Sequence, residues 1–470
     1  MEPKKNSGRS DRLKMRLAYS LGGISMHLPW ILTSVYLVYF LTDIASIPPF
    51  VVLILYFGAH IVNAVSAPLI GVLADRTSSP WGRYRPWIFI GAVLLVPAAA
   101  FLLWAQPDWN TGKGGVSSCI LYGLAMVFSA IWEVPYGALN SCMTADPDEQ
   151  TKLTGIRVFA YSAACVAAGI VFLAVAAPTR EIGNTIELFA KIALFLCLLA
   201  TPLALFCCRH TKETVLPSQN QSVPLKTTLA GITQNPSFMT LLPGFFVFGF
   251  LSCGRMTVAM YYFAYVVQDA GAFAVYSLVN GVLTGLGAFF GMNFLLRLFH
   301  SKRSACIFGY SMLIASSVVL CAANPISLGV HAVLVALWLG SAASGVVTGL
   351  IYSMIPDSVA YSERQTGVRA DGFLYGAASF MNKLGGAVGP VFLSALLGLA
   401  GYAGENAVQP RSALSMINIC MNLMPVLLSA AAILSLLFCR ADDSKIDLAD
   451  QEPHRQILDG RSDSKILTEK

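Results

Sequence analysis

The chain has 470 residues, 56% of them hydrophobic and only 12% charged, with a formal net charge of +6. Mean hydropathy is +0.65 and the apolar residues come in blocks, which excludes an ordinary soluble domain. The basic excess falls between those blocks, so it argues for membrane orientation and against nucleic acid as a partner.

Residues 1–18 carry Lys4, Lys5, Arg9, Arg12, Lys14 and Arg16 but no apolar run or small-residue cleavage site, so they read as a cytoplasmic tail and not as a secretory signal. At ~20 apolar residues per span, twelve spans follow. They lie near 19–42, 50–73, 86–105, 116–138, 157–177, 188–208, 238–267, 273–296, 304–323, 329–354, 372–400 and 414–438. The fold class is therefore an all-α membrane protein of two six-helix halves, 19–208 and 238–439. Between them lies a cytoplasmic loop, 209–237, and the charged segment 440–470 reads as a cytoplasmic tail.

Alternate loops hold Arg76, Arg83, Arg85, Lys152, Arg209, Lys212, Lys226, Arg297, Lys302, Arg303, Arg364 and Arg369, against Lys113, Arg180 and Arg411 on the other side. That bias places both termini inside. The cysteines in the spans, such as Cys165, Cys253 and Cys420, have no metal-ligand spacing and read as small buried hydrophobes. No enzyme signature of the phosphate-loop, nucleophile-elbow or zinc type is present, which favours a carrier over a catalyst.

Thr154, Gly155, Ile156 and Arg157 open the fifth span, and Thr366, Gly367, Val368 and Arg369 come just before the eleventh. Both follow an acidic inner loop. The recurrence at equivalent places suggests parallel repeats, the arrangement of the major facilitator superfamily.

Glu133, Arg157, Arg255 and Lys383 lie within or at the ends of apolar spans. An ionised side chain at the bilayer centre costs ~2.5 to 3.5 kcal/mol even on the lenient insertion scale, so each is expected to face an interior or aqueous path. A carboxylate accepts paired hydrogen bonds from sugar hydroxyls, while Arg and Lys bind ring oxygens or an acidic group. Trp30, Trp132 and Tyr136 offer apolar faces for a pyranose, with helix packing as the competing role.

Gly71, Asp75 and Arg76, followed by Gly82, Arg83, Tyr84, Arg85 and Pro86, place an acid at a helix end beside a basic cluster. With Asp357, Glu363 and Arg369 these form an expected conformational latch.

Here the sequence resembles the glycoside-pentoside-hexuronide:cation symporters, the family of the melibiose and glucuronide carriers. The stretches that carry the resemblance are Asp75 to Trp87, Glu133 to Arg157, and Asp357 to Lys383. The resemblance implies cation-coupled sugar transport by alternating access in a bacterial inner membrane. Glu133 and Arg157 would bind sugar, and Lys383 would lie near the cation site. A lysolipid or other amphipathic anion is the alternative cargo, and a non-transporting membrane receptor is the alternative class.

Four positions depart from that pattern. Where the melibiose carriers have acids, this chain has Asn63 and Ala67 in helix two, His27 in helix one and Ala360 in helix ten. Hard cations need oxygen ligands with at least one charge, so proton coupling through His27, His60 and Glu133 is expected in preference to sodium, with Asn63 and Lys383 beside that site. Arg157, Arg255 and Lys383 outnumber Glu133, which points to an anionic sugar as solute. No resident cofactor is expected beyond the coupling cation, and a monomer suffices.

Overall fold

A computed structural model describes residues 7–31, 49–104, 112–175, 182–215, 235–269, 271–322, 329–366, 369–402 and 409–438. We number twelve helices. The first half has α1 (Ser7–Ile31), α2 (Pro49–Asp75), α3 (Arg85–Trp104), α4 (Gly112–Met143), α5 (Pro147–Val175) and α6 (Ile182–His210). The second half has α7 (Pro236–Tyr261), α8 (Gly271–Leu286, continuing over Met292–Phe299), α9 (Lys302–Ala322), α10 (Val330–Ser353, then Ile355–Thr366), α11 (Asp371–Leu399) and α12 (Arg411–Asn418, then Met424–Leu437). Among the described residues there is no strand.

Eight of these, α2, α4 and α7 to α12, are long and apolar enough to cross a membrane. Their outer faces carry exposed Ile54, Leu69, Phe290, Phe294 and Leu434, side chains that only a lipid surround leaves at no hydrophobic cost. Prolines sit inside several helices, among them Pro68, Pro135, Pro243 and Pro390. Neighbouring helices in a bundle re-satisfy the backbone groups such residues free. Three π-turns, Tyr262–Val266, Gly287–Gly291 and Ile419–Leu423, widen α7, α8 and α12 locally.

Two boundaries differ from expectation. The helix that begins the chain starts at Ser7, so much of the expected tail 1–18 is helical. Its stability there has a visible cause: Arg16 makes a bidentate contact with Glu149, Nε to Oε1 at 2.6 Å and Nη2 to Oε2 at 2.5 Å. Likewise α5 begins at Pro147, with Asp148 and Glu149 in its first turn where the helix dipole favours acids. Arg157 thus lies ten residues into α5, ~15 Å along its axis, whereas its sequence echo Arg369 precedes α11. The far part of the first span, most of the central loop and the segment 440–470 lie outside the described residues.

The halves meet along α2 against α11 and α5 against α8 and α10. At the α2–α11 seam two glycines permit near backbone contact. A Cβ on Gly71 would lie 2.2 Å from the Gly372 carbonyl oxygen, and one on Gly372 would lie 2.6 Å from that of Gly71.

Candidate functional site

Near the middle of α11, Ser379 and Lys383 stand one turn apart and so share a face, and that face meets α4 and α2 of the other half. Lys383 Nζ lies 2.8 Å from Glu133 Oε2 and donates to Asn63 Oδ1 at 2.6 Å. Ser379 Oγ donates to Glu133 Oε1 at 3.3 Å. The ammonium therefore stands between α2 and α4. Ala67 is fully buried against α11, and a Cβ on Gly376 would lie 2.7 Å from its carbonyl oxygen. The Glu133 side chain remains 25% exposed against 9% for Lys383.

Arg157 lies over the Tyr352 ring, 4.6 Å from its centroid, which brings α5 and α10 together across the halves. Tyr19, Tyr136 and Tyr375 also surround it, and it lies within electrostatic reach of Glu133. Asn382 Nδ2 donates to the Tyr352 hydroxyl at 3.3 Å, tying this aromatic group to the residue next to Lys383. Tyr352, Asn382 and Ser379 carry no sequence signal of their own, because polar residues of these types are common in packed membrane helices.

His27 rests on Tyr161, with ring centroids 4.3 Å apart, and its Nδ1 is 2.9 Å from the Gly23 carbonyl. It lies within electrostatic reach of Glu133. His60 stacks on Tyr56 with its Nδ1 2.9 Å from the Tyr56 carbonyl, and lies within reach of Lys383. The Trp30 side chain lies outside the described residues.

Tyr136 departs from its expected sugar-facing role. It is fully buried, stacks on Tyr19 at 4.6 Å and donates its hydroxyl to the Tyr19 carbonyl, so it joins α1 to α4. Trp132 is also fully buried. Arg255 departs too: its neighbours Ser316, Gly340, Tyr262 and Tyr276 all belong to the second half, apart from the Glu133–Lys383 pair.

At the loop end of α2 the latch takes a form different from an acid–base cluster. Asp75 accepts the backbone N–H groups of Gly372 at 2.8 Å and Phe373 at 2.9 Å, capping the first turn of α11 across the halves, and also accepts the Tyr84 hydroxyl. Arg369 donates Nη2 to the Ser141 carbonyl at 2.9 Å while pairing with Asp371 at 2.8 Å and Glu363 at 3.0 Å. Ser141 Oγ in turn donates to Asp371.

Three expected latch residues stay within their own half. Arg85 Nη1 donates to the Thr211 carbonyl at 3.1 Å, and Asp357 pairs with Lys302 at 2.7 Å. The Arg83 N–H donates to Glu213 Oε2 at 2.7 Å, while Arg76 is exposed. Arg85 and Asp357 find nearer partners than the seam offers, and the Arg83 contact is made by its backbone. Glu213, which accepts the N–H groups of Arg83 and Tyr84 and so pins the start of α3, gave no sequence signal because it lies in the polar stretch after α6.

Comparisons with known proteins agree with this architecture. The family described as MFS/sugar transport protein matches residues 18–443. The isoprimeverose transporter of Lactiplantibacillus pentosus is 29% identical over 91% of this chain and 88% of its own length. The glucuronide carrier protein homolog of Escherichia coli (strain K12) is 25% identical, covering 84% and 85%. Among solved structures, the MFS transporter FucP in the outward conformation superposes with a TM-score of 0.66 at 14% identity, covering 91% of this chain and 98% of that one. With two helical halves joined around one ion pair and a matching family over nearly its whole length, the chain belongs to the MFS/sugar transport protein family and is an integral membrane transporter, not an enzyme.

Proposed function

We propose that the protein is a proton-coupled symporter of an anionic sugar or glycoside, working by alternating access. The observation that carries this reading is the Lys383–Glu133 ion pair shared between the halves. An arriving solute anion competes for the Lys383 ammonium. Glu133, deprived of that partner inside the bundle, then takes a proton, so anion and proton are bound together. Sodium is a poor second ion here, because Lys383 already occupies the space between Asn63 and Glu133. Arg157, with tyrosines around it, supplies a second positive group to an acidic solute, and a glucuronide carrier homologue among the relatives supports that class.

The latch of Asp75, Arg369 and Asp371 closes the end that also carries Arg76, Arg83, Arg85 and Lys212. Taken as cytoplasmic by its basic residues, that end is shut, and the solute enters from the opposite side. Both termini then lie in the cytoplasm of a cell whose inner membrane holds the protein, and one chain supplies the whole site, so a monomer is enough.

Uptake into proteoliposomes tests this. An inward proton gradient should drive accumulation of phenyl-β-D-glucuronide, a protonophore should abolish it, and a sodium gradient should add nothing. Equal uptake without any proton gradient, or of phenyl-β-D-glucoside to the same level, would overturn the coupling and the charge preference respectively.

A further inference from the structure

Among the described residues the guanidinium of Arg255 has no counter-charge. Its Nε and Nη2 are enclosed and have no hydrogen-bond partner, and among the described residues no carboxylate lies within ion-pair distance of it. Leaving those two donors in that state inside a membrane bundle is expensive, since they lose water and gain nothing.

The surroundings are polar in a way that suits an anion. The Tyr262 hydroxyl is buried beside Asn422, and Tyr262 and Tyr276 both lie within electrostatic reach of Arg255. Ser316 and Arg255 both pack closely on Gly340: a Cβ there would lie 2.7 Å from Ser316 Oγ, which donates to the Ala336 carbonyl, and 3.5 Å from Arg255 Nη1. Tyr262 opens the π-turn of α7, and the π-turn of α12 holds Asn422 close to it. Such turns loosen helix packing and recur at functional sites. The group is separate from the central pair. Arg255 is six residues beyond Gly249, which faces Asn382 of α11, so it stands ~9 Å further along α7.

We infer that Arg255, with Tyr262 and Tyr276, forms an anion-binding site inside the second half, distinct from the Glu133–Lys383 centre. Its occupant is a compact anion, either a free halide or the acidic group of the transported solute. In the second case the site deepens the reading above, because it requires the acid to sit at the end of the solute remote from the hydroxyls held near Glu133.

Purified full-length protein and the variants Arg255→Gln and Arg255→Lys separate these sources. Binding is measured with radiolabelled chloride, in a buffer whose only other anion is a bulky sulfonate, and with phenyl-β-D-glucuronide and phenyl-β-D-glucoside. Saturable chloride binding that Arg255→Gln weakens about tenfold or more, a loss of ~1.4 kcal/mol, and that Arg255→Lys partly keeps, identifies a halide site. No chloride binding, with a preference for glucuronide over glucoside that Arg255→Gln erases, identifies the solute's acid. If Arg255→Gln binds all three probes as the wild type does, or if the wild type binds chloride no better than Arg255→Gln and shows no glucuronide preference, the site does not exist. Should neither glycoside bind the wild type while chloride binding still depends on Arg255, the sugar reading fails and the anion site stands. A monodisperse elution profile for each variant excludes misfolding as the cause.

Discussion

Lys383 of α11 holds its ammonium 2.8 Å from the Glu133 carboxylate of α4, so the two halves of the transporter share one ion pair near the middle of the bundle. Its free energy is a balance between large opposing quantities. Both groups lose hydration, and their attraction, helped by Asn63 and Ser379, offsets that loss only while both charges are present.

Removing one partner should therefore cost more than removing both. Glu133→Gln or Lys383→Gln alone strands a charge, with an expected loss toward the lower end of ~3 to 5 kcal/mol because Glu133 keeps part of its surface accessible. The double variant should recover most of the melting temperature while still failing to couple transport to protons. Thermal unfolding in detergent, read as a double-mutant cycle, checks this. Additive losses in the double variant would mean that the two groups act independently.

The α2–α11 seam gives a conformational prediction. Gly71→Ala places a methyl group where the Gly372 carbonyl oxygen now stands, at 2.2 Å, so the two helices must separate. The Asp75 bonds to the Gly372 and Phe373 N–H groups would lengthen with them. The variant should express and fold but populate the state open at the latch end, with transport reduced about tenfold or more, a shift of ~1.4 kcal/mol between states. Spin-label distances between the α2 and α11 ends measure it, and an unchanged distance distribution would contradict the prediction.

What the sequence made legible follows the same physics. Glu133 and Lys383 stood out because a charge in an apolar span is costly and so conspicuous, and the structure brings them into contact. Asp75 was visible as an acid at a helix end, but its partners were not: backbone N–H groups on a helix start 297 residues away leave no mark in side-chain composition. Arg85 and Asp357 illustrate the opposite error, since a charge beside a seam looks like a latch until a nearer partner is seen. Tyr136 shows the ambiguity of aromatics, which serve packing and sugar binding through the same apolar face.

Glu213 should matter to the first half although it lies after the last helix of that half. Its carboxylate is 2% exposed, accepts the N–H groups of Arg83 and Tyr84 at 2.7 and 3.0 Å, and so satisfies donors at the entry to α3. Gly82, with φ of +102°, turns the chain tightly enough to let it approach. Glu213→Ala should cost ~1 to 2 kcal/mol, as the loss of a helix N-terminal cap does, and Glu213→Gln less. Thermal unfolding measures both, and equal stability of all three proteins would show that water replaces the carboxylate without cost.

The Arg16–Glu149 contact makes stability depend on pH in a definite direction. Hydrogen bonds from Arg16 hold the Glu149 carboxyl below its ordinary value of 4.5. A carboxyl lowered on folding contributes stability that is fully present above the ordinary value and is lost as pH falls through the folded one. The wild type should therefore melt above Glu149→Gln by a constant margin at neutral pH, and the margin should shrink below about pH 4.5. Arg16 keeps a third of its side chain in water, so the margin corresponds to about 1 kcal/mol or less. Melting temperatures of both proteins from neutral to acid pH measure the gap. One that stays constant or widens in acid would show that Glu149 gains nothing from Arg16 as an ionised group.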